Sequence, residues 1–207
     1  MATFPMSKLF LVLILIASIS FCRADELDDI YDAILIKYSK VKFYEAEFEQ
    51  ENYWKSIDVT QSSHGMIYFD VDNFLMKYEQ PEGQILFIQN DTVTIYDAAT
   101  NQAMISNNMN IELRPVNLIS EYWESSDKKL NFSENDLTKI TLKTEINETI
   151  TLLLEDHILA ELTIHDEDEN FVLYKFKNAK INEQLPAGVF DVELPEDANI
   201  IDNRVNK

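Results

Sequence analysis

Residues 44–51 read Tyr-Glu-Ala-Glu-Phe-Glu-Gln-Glu. Tyr44, Ala46 and Phe48 fall on one side of an extended chain, and Glu45, Glu47, Glu49 and Glu51 on the other, because successive strand side chains point to opposite faces. A strand with one wet and one greasy face belongs to a sheet that packs a core along one side only. The same alternation, or a short apolar run bounded by turn residues, returns at Gly65 to Phe69, Phe74 to Tyr78, Gln84 to Ile88, Val93 to Tyr96 and Ala103 to Ile105. Strands this close in sequence, with short connections, predict an antiparallel meander.

Upstream the period changes. Leu27, Ile30, Tyr31, Ile34, Tyr38 and Val41 recur at spacings of three and four, which marks one face of a helix from Glu26 to Val41. Asp25 suits its cap, and Asp28 and Asp29 its first turn. Downstream, after a break at Asn107 to Pro115, Leu118, Ile119, Tyr122 and Trp123 predict a short amphipathic helix over Val116 to Ser125. Strands resume at Leu137 to Ile146, Thr149 to Glu155, Ile158 to His165 and Phe171 to Phe176, with a last one near Val189 to Leu194. The fold class is mainly β with helices (α+β). An antiparallel sheet of about ten or eleven strands curls into a half or whole barrel. Two short helices are too little for a second layer, so they serve as a plug or lid over the concave apolar face.

The chain has 207 residues, 46% of them apolar, which suits one domain with a real core. Residues 1–24 read as a secretory signal peptide: Lys8, an unbroken apolar run from Leu9 to Ala17, then small polar residues before Ala24. The apolar stretch is shorter than the roughly 20 residues a membrane span needs. Residues 25–207 are then the single mature domain. Cys22 is the only cysteine, and the bulky Phe21 before it disfavours lipid attachment. Without a disulfide the mature domain relies on its core, which fits a bacterial periplasm better than an animal secretory route. The sequons at Asn90, Asn131 and Asn147 are read as chance matches in an Asn-rich chain.

The formal net charge is −20, and loss of the leader removes two further positive charges, Lys8 and Arg23. Nucleic acid is excluded as a partner, and anionic lipid surfaces are repelled. No nucleophile elbow, phosphate loop, paired-histidine zinc motif or cysteine metal motif occurs, so no enzymatic activity, metal or cofactor is expected. His64, His157 and His165 are scattered near strand ends. Asp166 to Glu169 lacks calcium-loop spacing and reads as a solvated hairpin turn. Glu45, Glu47 and Glu49 read as a wet strand face.

The unusual feature is a supply of large soft side chains that a curved sheet and short helix can turn toward flexible apolar cargo. Phe48, Phe74, Met76, Tyr78, Phe87, Ile95, Met104, Leu118, Ile119 and Tyr122 are the candidate cavity residues.

The order of motifs resembles the LolA family of periplasmic lipoprotein carriers. The resemblance rests on residues 41–50, Val-Lys-Phe-Tyr-Glu-Ala-Glu-Phe-Glu-Gln, and on Gly65 opening the second strand. It continues through residues 74–81, Phe-Leu-Met-Lys-Tyr-Glu-Gln-Pro, then Gln84-Ile85-Leu86, residues 90–97 and the closing Phe190-Asp191-Val192-Glu193-Leu194-Pro195. The resemblance implies an unclosed β-barrel with a helical lid over an apolar cavity. It also implies a monomer that takes acylated lipoproteins from an inner-membrane ABC lipoprotein-releasing transporter and delivers them to an outer-membrane lipoprotein receptor. Two departures stand out. Asp70-Val71 replaces the family's Arg-Pro, so the arginine that helps hold the lid shut is missing, and Leu75-Met76 replaces Arg-Trp. Arg114, just before the short helix, is the candidate substitute latch. The alternatives are a non-transferring periplasmic lipid- or protein-binding sensor of the same fold, and a hydrolase with a cryptic site.

Overall fold

The computed structural model describes residues 26–107 and 114–204. The leader, Cys22 and the proposed capping residue Asp25 lie outside the described residues. Helix α1 spans 26–38. Six strands follow: β1 Tyr44–Trp54, β2 Val59–Phe69, β3 Asn73–Gln80, β4 Ile85–Gln89, β5 Thr92–Asp97 and β6 Gln102–Ser106. Helix α2, Pro115–Glu124, leads to β7 Ser126–Glu134, β8 Leu137–Thr144, β9 Thr149–Glu155, β10 Ile158–His165, β11 Phe171–Ile181 and β12 Asn199–Asp202.

All twelve strands form one unclosed sheet in the order β12-β6-β5-β4-β3-β2-β1-β11-β10-β9-β8-β7. The sheet is thus two meanders joined where β1 pairs with β11. That junction explains the carboxylate row of β1. Lys177 Nζ donates to Glu49 at 2.6 Å, Lys180 Nζ to Glu45 at 2.6 Å and Asn178 Nδ2 to Glu47 at 2.9 Å, all on the outer face. The wet face is therefore a ladder of two ion pairs and one amide hydrogen bond, worth little in stability per exposed pair, but it opposes any slip of register.

Three expectations are corrected. First, the sheet is not wholly antiparallel, since β12 runs parallel to β6. Second, the closing strand is Asn199–Asp202 rather than Val189 to Leu194, which belongs to an arm crossing the outer face. Third, β7 was not expected. Its sequence, Ser-Asp-Lys-Lys-Leu-Asn-Phe-Ser-Glu, buries only Leu130. An edge strand pairs on one side only and tolerates such polarity.

Gly65 sits in the middle of β2, opposite Phe48 and Tyr78. A Cβ there would lie 2.1 Å from the Lys77 carbonyl oxygen, so only glycine admits this close strand approach. The Phe48 ring meets Tyr78 edge-on across it, centroids 5.0 Å apart.

Candidate functional site

Register assigns the faces. Phe48, Ile67, Phe69, Phe74 and Met76 share the inner side with Leu86 and Ile88. In the second meander Ile140, Leu142, Ile150, Leu152, Leu154 and Leu162 do the same. Ile30, Ile34 and Tyr38 of α1 and Ile119 and Trp123 of α2 join these residues in one buried cluster. The helices meet through Tyr31 and Trp123, whose rings stack at 4.6 Å and 6°. Both helices therefore fill the concavity of the sheet.

Two polar contacts pin the end of α1. Leu159 N donates to the buried Tyr38 hydroxyl at 3.1 Å, and Lys37 forms an ion pair with Asp156 at the β9–β10 turn. Burial raises the Tyr38 phenol well above the ordinary tyrosine range, against a smaller opposing effect of the Leu159 hydrogen bond, so it stays neutral at physiological pH. Tyr44 and Tyr78 are raised by burial in the same way.

The candidate cavity residues divide into three groups. Phe48, Phe74, Met76 and Ile119 lie in the buried cluster, and Tyr78, Leu118 and Tyr122 pack against it half-buried. Ile95 and Met104 face the same side by register, half-buried, but outside that cluster. Phe87 is the exception: it pairs with Leu75, on the outer face. There Leu75, Phe87, Tyr96 and Ala103 are buried, and Phe190 of the C-terminal arm stacks on Phe87 at 6.4 Å. Phe87 thus lines a second, outer core and is withdrawn from the cavity set. Continuous apolar runs conceal this, because a strand buried on both faces loses its alternation. The aliphatic rows of β8 and β9 share the inner face, and their alternation is plain in the sequence.

Asp70 and Arg114 line one small cleft of about 120 Å³ with Tyr38, Val41 and Phe69, where α1 ends and α2 begins. Arg114 stands at the N-cap of α2, its carbonyl accepting from Leu118 N at 3.1 Å. Asp70 is occupied by its own turn: its carboxylate accepts from the amides of Asp72 and Asn73 and from Asn73 Nδ2. The residue that departs from the family pattern closes the β2–β3 turn. This cleft is below the roughly 300–1,000 Å³ of small-molecule sites.

The acidic Asp166 segment is a turn, as expected: Asp166 accepts from Asp168 N, Asn170 N and Asn170 Nδ2. Among the described residues no group of three His, Cys, Asp or Glu side chains is placed to hold a metal, and no helix is long and apolar enough to cross a membrane.

A curved, unclosed sheet with two helices seated on its apolar inner face defines a lidded half-barrel. Residues 39–193 match the family described as outer membrane lipoprotein carrier protein LolA, more than half of the chain, and the protein belongs to that family. The family description is that of a carrier, a binding role rather than a catalytic one. No curated protein sequence matches the chain. Among solved structures, an uncharacterized conserved protein from Thermus thermophilus is similar at 16% identity and TM-score 0.57, covering 86% of this chain and 99% of that one. A LolA superfamily protein from Nitrosomonas europaea is similar at 10% identity and TM-score 0.43, covering 77% and 96%. An outer membrane lipoprotein-sorting protein domain from Vibrio parahaemolyticus gives 7% and 0.43, covering 78% and 95%.

Proposed function

We propose that this protein is a periplasmic carrier, exported by cleavage of residues 1–24. It binds lipoprotein acyl chains against its inner face and ferries them from the inner to the outer membrane. The observation that carries the reading is that one apolar cluster is shared by the sheet and both helices. Moving the helices exposes the sheet half of that cluster to cargo.

Burying an acyl chain of about 16 carbons gains roughly 12 kcal/mol gross at ~0.8 kcal/mol per CH₂. Here the chain replaces helix side chains such as Ile34 and Ile119, so the net gain is a difference between two apolar contacts. Such a carrier holds cargo in reserve and still surrenders it to a better acceptor, because ligand moves according to differential affinity. The releasing transporter and the outer-membrane receptor supply the two ends of that gradient. Arg114 and Asp70, lining one cleft at the root of both helices, are where the closed lid is held.

The deciding experiment is organic extraction and mass spectrometry of the protein purified from its own periplasm, followed by transfer to a lipid-binding acceptor. Acylated peptides that move to the acceptor support the carrier. Bound lipid that does not move assigns a sensor of the same fold, and an empty inner face removes the lipid reading altogether.

A further inference from the structure

Strands β1 and β2 run eleven residues each and carry their connecting turn, Lys55–Ile57, to one end of the sheet. Three apolar side chains gather there in water: Trp54 is 40% exposed, Ile57 66% and Val59 44%. Trp54 and Val59 are cross-strand partners, so they lie on the same face of the tip. Between them and the buried cluster stand Gln50 and Asn52 of β1, opposite Ser63 and Gln61 of β2. Gln50 accepts from the Tyr78 hydroxyl at 3.0 Å and donates to Asn52 at 3.1 Å. A hydrogen-bonded polar belt thus separates the apolar tip from the apolar interior, and the tip is no continuation of the cargo face.

The tip is also held rigid. Lys55 N donates to Asn170 Oδ1 at 2.9 Å, Lys55 Nζ pairs with Glu169 at 2.6 Å, and the Tyr53 and Phe171 rings meet at 5.3 Å. These contacts clasp the β1–β2 turn to the β10–β11 turn, so little ordering remains to be done on binding. The surround is acidic: the two turns carry Asp58, Asp166, Glu167, Asp168 and Glu169 against the single ammonium of Lys55.

We propose that this tip docks a protein partner presenting an apolar pocket rimmed by lysine or arginine side chains. An exposed tryptophan on a rigid support is the side chain that most often carries interface energy. The acidic collar selects a basic rim and speeds encounter. The same collar repels an anionic bilayer and a second copy of this chain, whose net charge is −20. The surface goes beyond the carrier reading and does not depend on what fills the inner face.

The test uses the full-length protein and Trp54 as reporter. The other tryptophan, Trp123, is buried against Tyr31 and shielded from acrylamide quenching. The probes are an amphipathic Leu/Lys peptide, its Leu/Glu counterpart, and neutral and anionic phospholipid vesicles. Only the Leu/Lys peptide is expected to protect Trp54, with affinity falling as salt rises. The double substitution Ile57→Ser, Val59→Thr leaves the charge unchanged and should weaken that binding at least tenfold. Asp168→Lys, at an exposed turn position, should weaken it independently, and neither change should alter binding of an apolar dye to the inner face. Equal binding by the Ser/Thr variant reduces the effect to net charge and overturns the proposal. Protection by neutral vesicles does so in favour of lipid, and absence of any protection does so outright.

Discussion

Replacing Tyr38 by Phe removes one oxygen from the joint between α1 and the sheet and leaves the ring in the core. In the hairpin between β9 and β10, Glu155 and Ile158 flank the two-residue turn, and the next pair is Leu154 with Leu159. Pairs alternate between exchanging and not exchanging hydrogen bonds, so Leu159 N points away from β9. On its other side the ladder with β11 begins only at Glu161. The Tyr38 hydroxyl supplies the acceptor. Its loss leaves a buried amide unpaired, a cost of about 1–3 kcal/mol. For a chain of this size that corresponds to a Tm lower by roughly 2–4 °C per kcal/mol. Urea denaturation followed by circular dichroism measures the loss, and amide exchange at Leu159 locates it. Tyr44 is the control: it is equally buried, and its hydroxyl has no hydrogen bond among the described residues. Tyr44→Phe is expected to cost less than about 0.5 kcal/mol. If the two variants lose the same stability, the hydroxyl is not the tie between helix and sheet.

Three further outcomes are expected. Tyr38, Tyr44 and Tyr78 have folded-state pKa values raised by burial, so their contribution is complete below the unfolded value near pH 10 and is lost as pH rises beyond it. Stability should fall by about 1.4 kcal/mol per pH unit for each tyrosine, and an alkaline urea series showing no steepening above pH 10 would contradict this. Gly65→Ala, whose Cβ meets the Lys77 carbonyl oxygen at 2.1 Å, should cost about 3 kcal/mol and disturb the β2–β3 pairing, read by denaturation and by amide exchange across that pair. Phe190→Ala should cost about 2 kcal/mol at its half-buried site. It should speed exchange in Asn199–Asp202 and leave the inner cluster protected; uniform loss of protection would show that the arm and the main core are one unit.

The sequence by itself determined the local periods. Spacings of three and four drew α1 and α2, whose observed bounds differ by a few residues from those expected. Alternation drew β1, and apolar runs cut by turn residues drew most of the rest, with β10 found at Ile158–His165 as read. Alternation also fixed which side of β1 is wet, since a strand's two faces follow from the backbone alone. Only the tertiary structure decided the facing of Phe87, because a run such as Ile85–Gln89 is apolar on both sides until the C-terminal arm covers one of them. It likewise decided β12, whose pairing with β6 joins residues about a hundred positions apart and leaves no local signal, and β7, whose edge position asks almost nothing of its side chains. The role of Asp70 belongs with these. Nothing local in the sequence shows that the Asp70 oxygens accept from the amides of Asp72 and Asn73, a turn contact that only the structure reveals.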